Sequence, residues 1–343
     1  MIYREASTDD KDAIRVLWSD CFAGDEKFCE YFLSNIFSGE RTILAEENGE
    51  IVGISNFIIQ DLKFFGTKIS AAYIYGVGTA SAFRNKGIAS SMMREQLKRL
   101  YDIGVVAAVI VPQEDRLFEF YKRFDFADVF GISVSELSED SSRMDGFEFS
   151  DGILETDITH INEIFERSLL FRSHLMRDQT HWNNAVRTSE LYGGGILCVR
   201  KDGKPVAYSV YEKDGEPVIL ELFAEHEASY RAASAAVLSR IGASDVKMYA
   251  PACPRDTKRF GMIRILDAAK FLQAVADYRG DLDCAFSLFD DIVEPNNLRA
   301  EVKDKSVDCT AFSGEQRGYV SMAQLAEIVM VAGPVPYINL IFS

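Results

Sequence analysis

Histidine is scarce in this chain, four in 343 residues, and the six cysteines (Cys21, Cys29, Cys198, Cys253, Cys284, Cys309) include no C-x-x-C pair. No histidine stands at ligand spacing from a cysteine, so no metal is expected. Scattered cysteines without a framework read as reduced, mostly buried thiols, and the expected compartment is the cytoplasm. No apolar run approaches the ~18 residues that a membrane helix needs. The first ten residues, Met1-Ile-Tyr-Arg-Glu-Ala-Ser-Thr-Asp-Asp, lack a basic stretch followed by an apolar one, so no secretory signal is expected. Positive charge is short as well: 37 Lys and Arg stand against 53 Asp and Glu, a net charge of −16. That balance speaks against nucleic-acid and anionic-membrane partners, which want basic stripes. It suits cationic partners by steering, although an acidic surface more often serves solubility alone.

What is present in quantity is apolar residues, 48% of the chain. A single core stops growing near ~250–300 residues, so two or three domains are expected. The most informative stretch runs from Tyr73 to Ala89. An aromatic and β-branched run reads as a buried strand, Ala71 to Thr79, and Ser90 to Tyr101 reads as an amphipathic helix. Between them stands Arg84-Asn85-Lys86-Gly87-Ile88-Ala89. Amides at a helix N-terminus lack internal partners and sit at the positive end of the dipole, which makes an anion site. Gly87 lets the backbone approach the anion, and Arg84 and Lys86 add charge. Gly76-Val-Gly-Thr-Ala-Ser81 nearly spells a dinucleotide fingerprint, but Ser81 replaces the third glycine and the motif lies past the first strand.

Further elements follow from pattern. Lys11 to Phe22 reads as a helix behind N-cap chemistry at Ser7–Asp10, and Lys27 to Phe37 as a second helix. Residues 42–58 read as a hairpin turning at Asn48-Gly49. Val105 to Val111 is a strand ended by Pro112, and Leu117 to Phe124 a short helix. Ser135 to Asp145 is polar and reads as a linker. Residues 43–55 then align with 196–209 as strand–turn–strand. Val218 to Phe223 stands where the first unit has its Ala71–Thr79 strand, but residues 225–236 have no glycine to admit a phosphate. The third part carries a helix over Ala268 to Tyr278, strands near 284–289, 298–302 and 307–311, a helix over Met322 to Val331, and an apolar tail.

The motif R-x-x-G-x-A between strand and helix resembles the pyrophosphate loop of the GNAT superfamily of acetyl-CoA-dependent N-acetyltransferases. Leu117-Phe-Glu-Phe-Tyr121-Lys-Arg-Phe124 is similar to a Y-x-R-F segment whose tyrosine acts as general acid in the enhanced-intracellular-survival (Eis) branch. There Asp125 usually has glycine in its place. The segment Met262 to Leu272 is similar to the opening of that branch's sterol-carrier-protein-like domain. The resemblance implies an α/β fold with mixed α+β sheets in three parts. These are a GNAT domain at 1–137, a degenerate GNAT-like domain at 146–257, and a sterol-carrier-like α+β domain at 258–343. It implies acetyl-CoA as co-substrate, gripped by Val77, Gly78, Thr79, Arg84, Asn85, Lys86, Gly87, Ile88 and Ala89. It implies Tyr121 as acid and the terminal carboxylate of Ser343 as base. Asp25, Glu26, Phe28 and Phe32 would line the amine pocket. A homo-oligomer is expected, hexameric in that branch.

The implied reaction is acetyl transfer to an amine of a cationic small molecule or peptide, aminoglycoside- or polyamine-like. An amine of pKa near ~10 is protonated at neutral pH and needs a base, whereas a thiolate of pKa near ~8.5 leaves readily. Two other functions stand beside it: an apolar-ligand carrier working through the last part, and an acetyl-CoA-binding scaffold without turnover. The bland reading of Tyr121 is a core residue beside Phe118, Phe120 and Phe124.

Overall fold

The computed structural model describes residues 1–138, 145–253, 255–311 and 318–339. The chain forms two compact units. One joins Met1–Val129 to Gly261–Ala332, the other joins Phe130–Phe260 to Gly333–Ser343. The fold is of the expected α/β class with mixed sheets. Residues 261–332 group with the first unit, and Met262, Leu266, Ile292 and Val293 share its core.

In the first unit the strands run in the order Ile2–Glu5, Thr42–Glu47, Glu50–Ile59, Ala71–Thr79, Ala107–Ile110 and Lys258–Ile265. The 42–59 hairpin turns at Asn48 and Gly49, both at positive φ, which an Asn-Gly pair adopts at little cost. Ala71–Thr79 runs antiparallel to Glu50–Ile59 and parallel to Ala107–Ile110. The helix Ile88–Asp102 provides the crossover between the two parallel strands. Its buried face carries Ile88, Met92, Met93, Leu97 and Leu100. Each such side chain contributes ~1.5–3 kcal/mol relative to exposure. Met262–Ile265 extends the sheet by pairing with Ala107–Ile110. A smaller sheet holds Cys284–Phe289, Leu298–Lys303, Ser306–Ala311 and Val320–Ser321, with helices Ala268–Tyr278 and Met322–Met330.

The second unit repeats the same strand directions. Glu148–Asp151, Gly195–Lys201, Lys204–Glu212 and Val218–Ala224 are antiparallel in turn, and Asp245–Pro251 then pairs parallel to Val218–Ala224. The helix Glu227–Ile241 makes the crossover.

Two sequence expectations about elements are corrected, and one strand was not read. Residues 135–138, read as linker, close the strand Ala127–Ser138, where Ser138 pairs with Asp245 and Ile132 with Pro251. Residues 139–144 of that segment lie outside the described residues. The second helix stops at Tyr31 and widens into a π turn over Phe32–Ile36, because Phe32, Leu33 and the neighbouring rings are drawn into the core. Strand Ile2–Glu5 was not legible: four residues are too few to show a period.

Candidate functional site

The site lies where two parallel strands separate. Ala71–Ile74 pairs with Ala107–Ile110, and the pairing ends there. On the other side the register between Ile54 and Asn56 slips, because Gly78 opposes Ile54 while Tyr75 opposes Asn56. This bulge spans Gly76 and Val77 and bends the strand away from its parallel neighbour. Gly76 sits at φ +57, and a Cβ there would meet Trp18 and Asn56 at 2.8 Å, so no larger residue fits. Gly78 likewise faces Cys21 Sγ, at 2.9 Å from an added Cβ.

The loop that follows is held from below. The backbone N–H of Ser81 donates to Asp20 Oδ2 at 2.6 Å, and this bond holds the Asp20 carboxyl below its ordinary range. Arg84 Nε donates to the carbonyl of Thr79 at 3.1 Å. Asn85 and Gly87 both take positive φ, +63 and +80. Gly87 is the N-cap of the helix Ile88–Asp102, and a Cβ built on it meets nothing within 4 Å. Glycine is therefore required by the backbone, and its outer face is open.

A cleft of about 650 Å³ borders this loop. Val77, Gly78, Thr79, Arg84, Asn85, Gly87, Ile88 and Ala89 line it, and so does Tyr121 from the helix Asp115–Lys122. Strand, loop and tyrosine, far apart in sequence, thus share one wall. Lys86 is not among the lining residues; its Nζ sits 4.4 Å over the Phe83 ring. Tyr121 is 5% exposed and packs edge-on against Phe120 and near Phe126. Burial, with Tyr73 nearby, pushes its phenol well above the ordinary tyrosine range. It keeps its proton at neutral pH.

Asp25, Glu26, Phe28 and Phe32 do not line this cleft. Phe28 and Phe32 are buried against Trp18, with ring centroids 5.8 and 5.4 Å from it. Asp25 precedes the helix Glu26–Tyr31, and Glu26 Oε1 accepts from the Gly24 amide at 3.2 Å. Ser343 lies outside the described residues.

Residues 2–129 match the family model described as an acetyltransferase (GNAT) domain. The chain carries a GNAT acetyltransferase domain, and it is an acyltransferase. No curated protein matches it in sequence. Solved structures share its fold. A GCN5-related N-acetyltransferase from Anabaena variabilis has 17% identity and a TM-score of 0.75, with 98% of this chain and 99% of that one covered. Eis1 from Mycobacterium abscessus has 15% identity and a TM-score of 0.66, covering 96% and 89%. A probable N-acyltransferase from Enterococcus faecalis has 14% identity and a TM-score of 0.71, covering 96% and 88%. At these identities the likeness concerns the fold.

The cleft has wall residues that sequence reasoning missed. Cys21 and Phe22 reach it from the end of the helix Lys11–Cys21, and Arg116, Leu117, Phe120 and Arg123 from the tyrosine helix. Leu117 stands one turn before Tyr121, a signal that the sequence did contain, whereas Arg116, Phe120 and Arg123 are not at one-turn spacing from it. Cys21 carried no such signal. Burial, with Asp20 adjacent, pushes its thiol up to about 11, so it enters as an apolar wall and not as a nucleophile. No group of three or more metal-ligating side chains occurs among the described residues, and no described helix is long and apolar enough to cross a membrane.

Proposed function

We propose that the protein transfers an acetyl group from acetyl-CoA to an amine of a cationic small molecule or peptide. One observation carries this reading: Tyr121 and the 77–89 strand and loop line the same cleft. The residues suit the coenzyme. Amides at the start of Ile88–Asp102, the open face of Gly87 and the Arg84 charge suit a pyrophosphate. The separated strand at Val77–Thr79 offers backbone groups to the pantetheine arm and, at Val77, a donor to the thioester carbonyl.

In the proposed reaction the free amine attacks the thioester carbon, the C–S bond breaks, and the departing sulfur takes the Tyr121 hydroxyl proton. The amine's own proton passes to a base, and solvent restores the tyrosine. Because a thiolate already leaves well, the acid contributes at the low end of the ~10²–10⁴ range. Holding both reactants in position for attack contributes more. We assign the base to the Ser343 carboxylate and the amine pocket to Asp25, Glu26, Phe28 and Phe32. The packing of the two phenylalanines on Trp18 favours the two carboxylates over the rings as acceptor contacts. Residues 225–236, without a phosphate-admitting glycine, lead us to expect one coenzyme per chain.

Thiol release from acetyl-CoA across a panel of polyamines, aminoglycosides and basic peptides tests the reading. Amine-dependent release is expected. Coenzyme binding without release for any amine would favour the scaffold, and no binding at all would overturn both. Deleting residues 341–343 should lower turnover far more than coenzyme affinity; unchanged turnover would remove Ser343 from the mechanism.

A further inference from the structure

Arg264 is a fully buried arginine in the strand Lys258–Ile265, paired with Ala108 of the acetyltransferase sheet. Its Nη2 donates to Asp290 Oδ1 at 2.6 Å, and Asp290 is itself fully buried. Asp290 Oδ1 also accepts the amides of Ile292 and Val293, and Oδ2 accepts from Asn296 Nδ2 at 2.8 Å. The Asp290 carboxylate is thus held rigidly. Arg264 has a second carboxylate partner: Asp125 Oδ2 lies 3.7 Å from Nη1. The backbone N–H of Met322, the first residue of the helix Met322–Met330, also favours the charged form of Asp125. Among the described residues, Nε and Nη1 of Arg264 make no hydrogen bond, so Asp125 is what faces that side of the guanidinium.

Asp125 closes the tyrosine helix. It sits at φ +57, in the left-handed region that aspartate tolerates better than most residues. Around it the Phe124 and Phe126 amides both donate to the Tyr121 carbonyl, at 2.9 and 3.4 Å, and the Asp125 amide donates to Lys122 at 3.0 Å. The turn that Asp125 forms therefore grips the backbone of Tyr121 directly. We propose that Asp125 and Arg264 are positioning residues for Tyr121: the buried Arg264–Asp290 pair anchors the Asp125 turn, and the turn sets the tyrosine against the cleft. The proposal rests on the acetyl-transfer reading above. It gives residues 261–332 a role in the reaction without requiring that they touch substrate. Where the resembling branch has glycine, this chain has a charged anchor.

The charged groups facing Asp125 are Arg264 on its strand and Asp290 and Asp291 in the loop that follows Cys284–Phe289. Arg94 pairs with Asp291 at 2.9 Å and lies 5.8 Å from the Phe124 ring centroid. Burial and the two aspartates raise the Asp125 carboxyl above its ordinary range against the pull of Arg264.

The test uses two variants of the full chain. Asp125→Asn keeps size and turn preference and removes the charge. Asp125→Gly takes positive φ without strain, which offsets part of the cost of removing the carboxylate beside Arg264, and the Arg264–Asp290 pair remains, so it should fold. Both should lower kcat about ten-fold, since displacement by a fraction of an ångström already weakens proton donation. The KM for acetyl-CoA should stay within about two-fold. The wild-type to Asp125→Asn ratio of kcat should fall toward one as pH drops through the Asp125 titration, because protonation removes the same charge. Amide exchange at Phe124 and Phe126 should quicken in both variants. Folded variants with wild-type kcat and a flat ratio overturn the proposal and leave the acetyl-transfer reading standing. Wild type inactive with every amine overturns that reading and this one with it, even if amide exchange changes as expected.

Discussion

The two units build the same strand–helix–strand path and finish it differently. In the first, Ala71–Ile74 pairs parallel to Ala107–Ile110 and then departs through a bulge at Gly76 and Val77. In the second, Val218–Ile219 pairs parallel to Lys247–Met248 and departs through a bulge at Leu220. Each has a fifteen-residue crossover helix, Ile88–Asp102 and Glu227–Ile241. Beyond the bulge the first unit has an open cleft. The second is filled by its own chain. Tyr337 donates to Glu221 at 2.8 Å, the Asn339 amide donates to the Leu220 carbonyl, and Arg177 pairs with Glu221 at 2.6 Å. Tyr208 is a third partner of the same carboxylate, at 2.7 Å. The connections differ too: residues 80–87 carry Asn85 and Gly87 at positive φ, whereas 225–226 pass straight into a helix. On the proposed reading, a separated strand pair is not by itself a coenzyme site; an open cleft and a loop whose backbone lets an anion approach the helix start are needed as well.

Four substitutions would break or sharpen that contrast. The largest effect is expected from Gly87→Val, which places a branched side chain at φ +80 on the open face of the loop. Acetyl-CoA binding measured by calorimetry should be lost while the fold remains; undiminished affinity would show that this loop does not hold the coenzyme. Next is Glu221→Ala in the filled unit. It strands the buried Arg177 charge and two further donors, Tyr208 and Tyr337, and should cost about 3–5 kcal/mol in denaturant unfolding. A loss under ~1 kcal/mol would mean that the tail is held by packing alone. Tyr121→Phe keeps the ring and its aromatic neighbours, so stability should barely change while the chemical step slows by roughly 10²-fold. Wild-type turnover, with product release shown not to limit, would remove Tyr121 as the acid. Tyr337→Phe should have the smallest effect, about 1.5–3 kcal/mol for one hydrogen bond to a buried carboxylate. Its acetyl-CoA affinity should equal wild type, and a change there would tie the filled opening to the open one.

Much of the first unit was legible because its signals are local. The Asn48-Gly49 hairpin, the strand before Gly87 and the helix after it follow from turn chemistry and period alone. Ala268–Tyr278 was read at its observed bounds, since six of its eleven residues face one core. The cleft's far wall was half legible: Tyr121 stood out by its motif, while Cys21 and Arg116 had nothing to mark them. Phe28 and Phe32 gave no sign of their packing, because an aromatic near a loop looks the same in sequence whether it faces a ligand or Trp18. Arg264 and Glu221 were invisible. A charge inside an apolar strand gives no sign of whether its partner waits in the core, and these partners lie 26 and 44 residues away.

The sequence by itself determined where the chain turns, which strand precedes the anion loop, and which backbone positions demand glycine. Those are properties of neighbouring residues, decided by dihedral preference and periodicity. Only the tertiary structure decided that Ala71–Thr79 separates from Ala107–Ile110 after Ile74, that Tyr121 meets the resulting cleft, and that Asp125 faces a buried guanidinium. Those depend on which distant segments occupy the space around each strand. In the second unit that space was taken by Tyr337 and Asn339, and the same path closed.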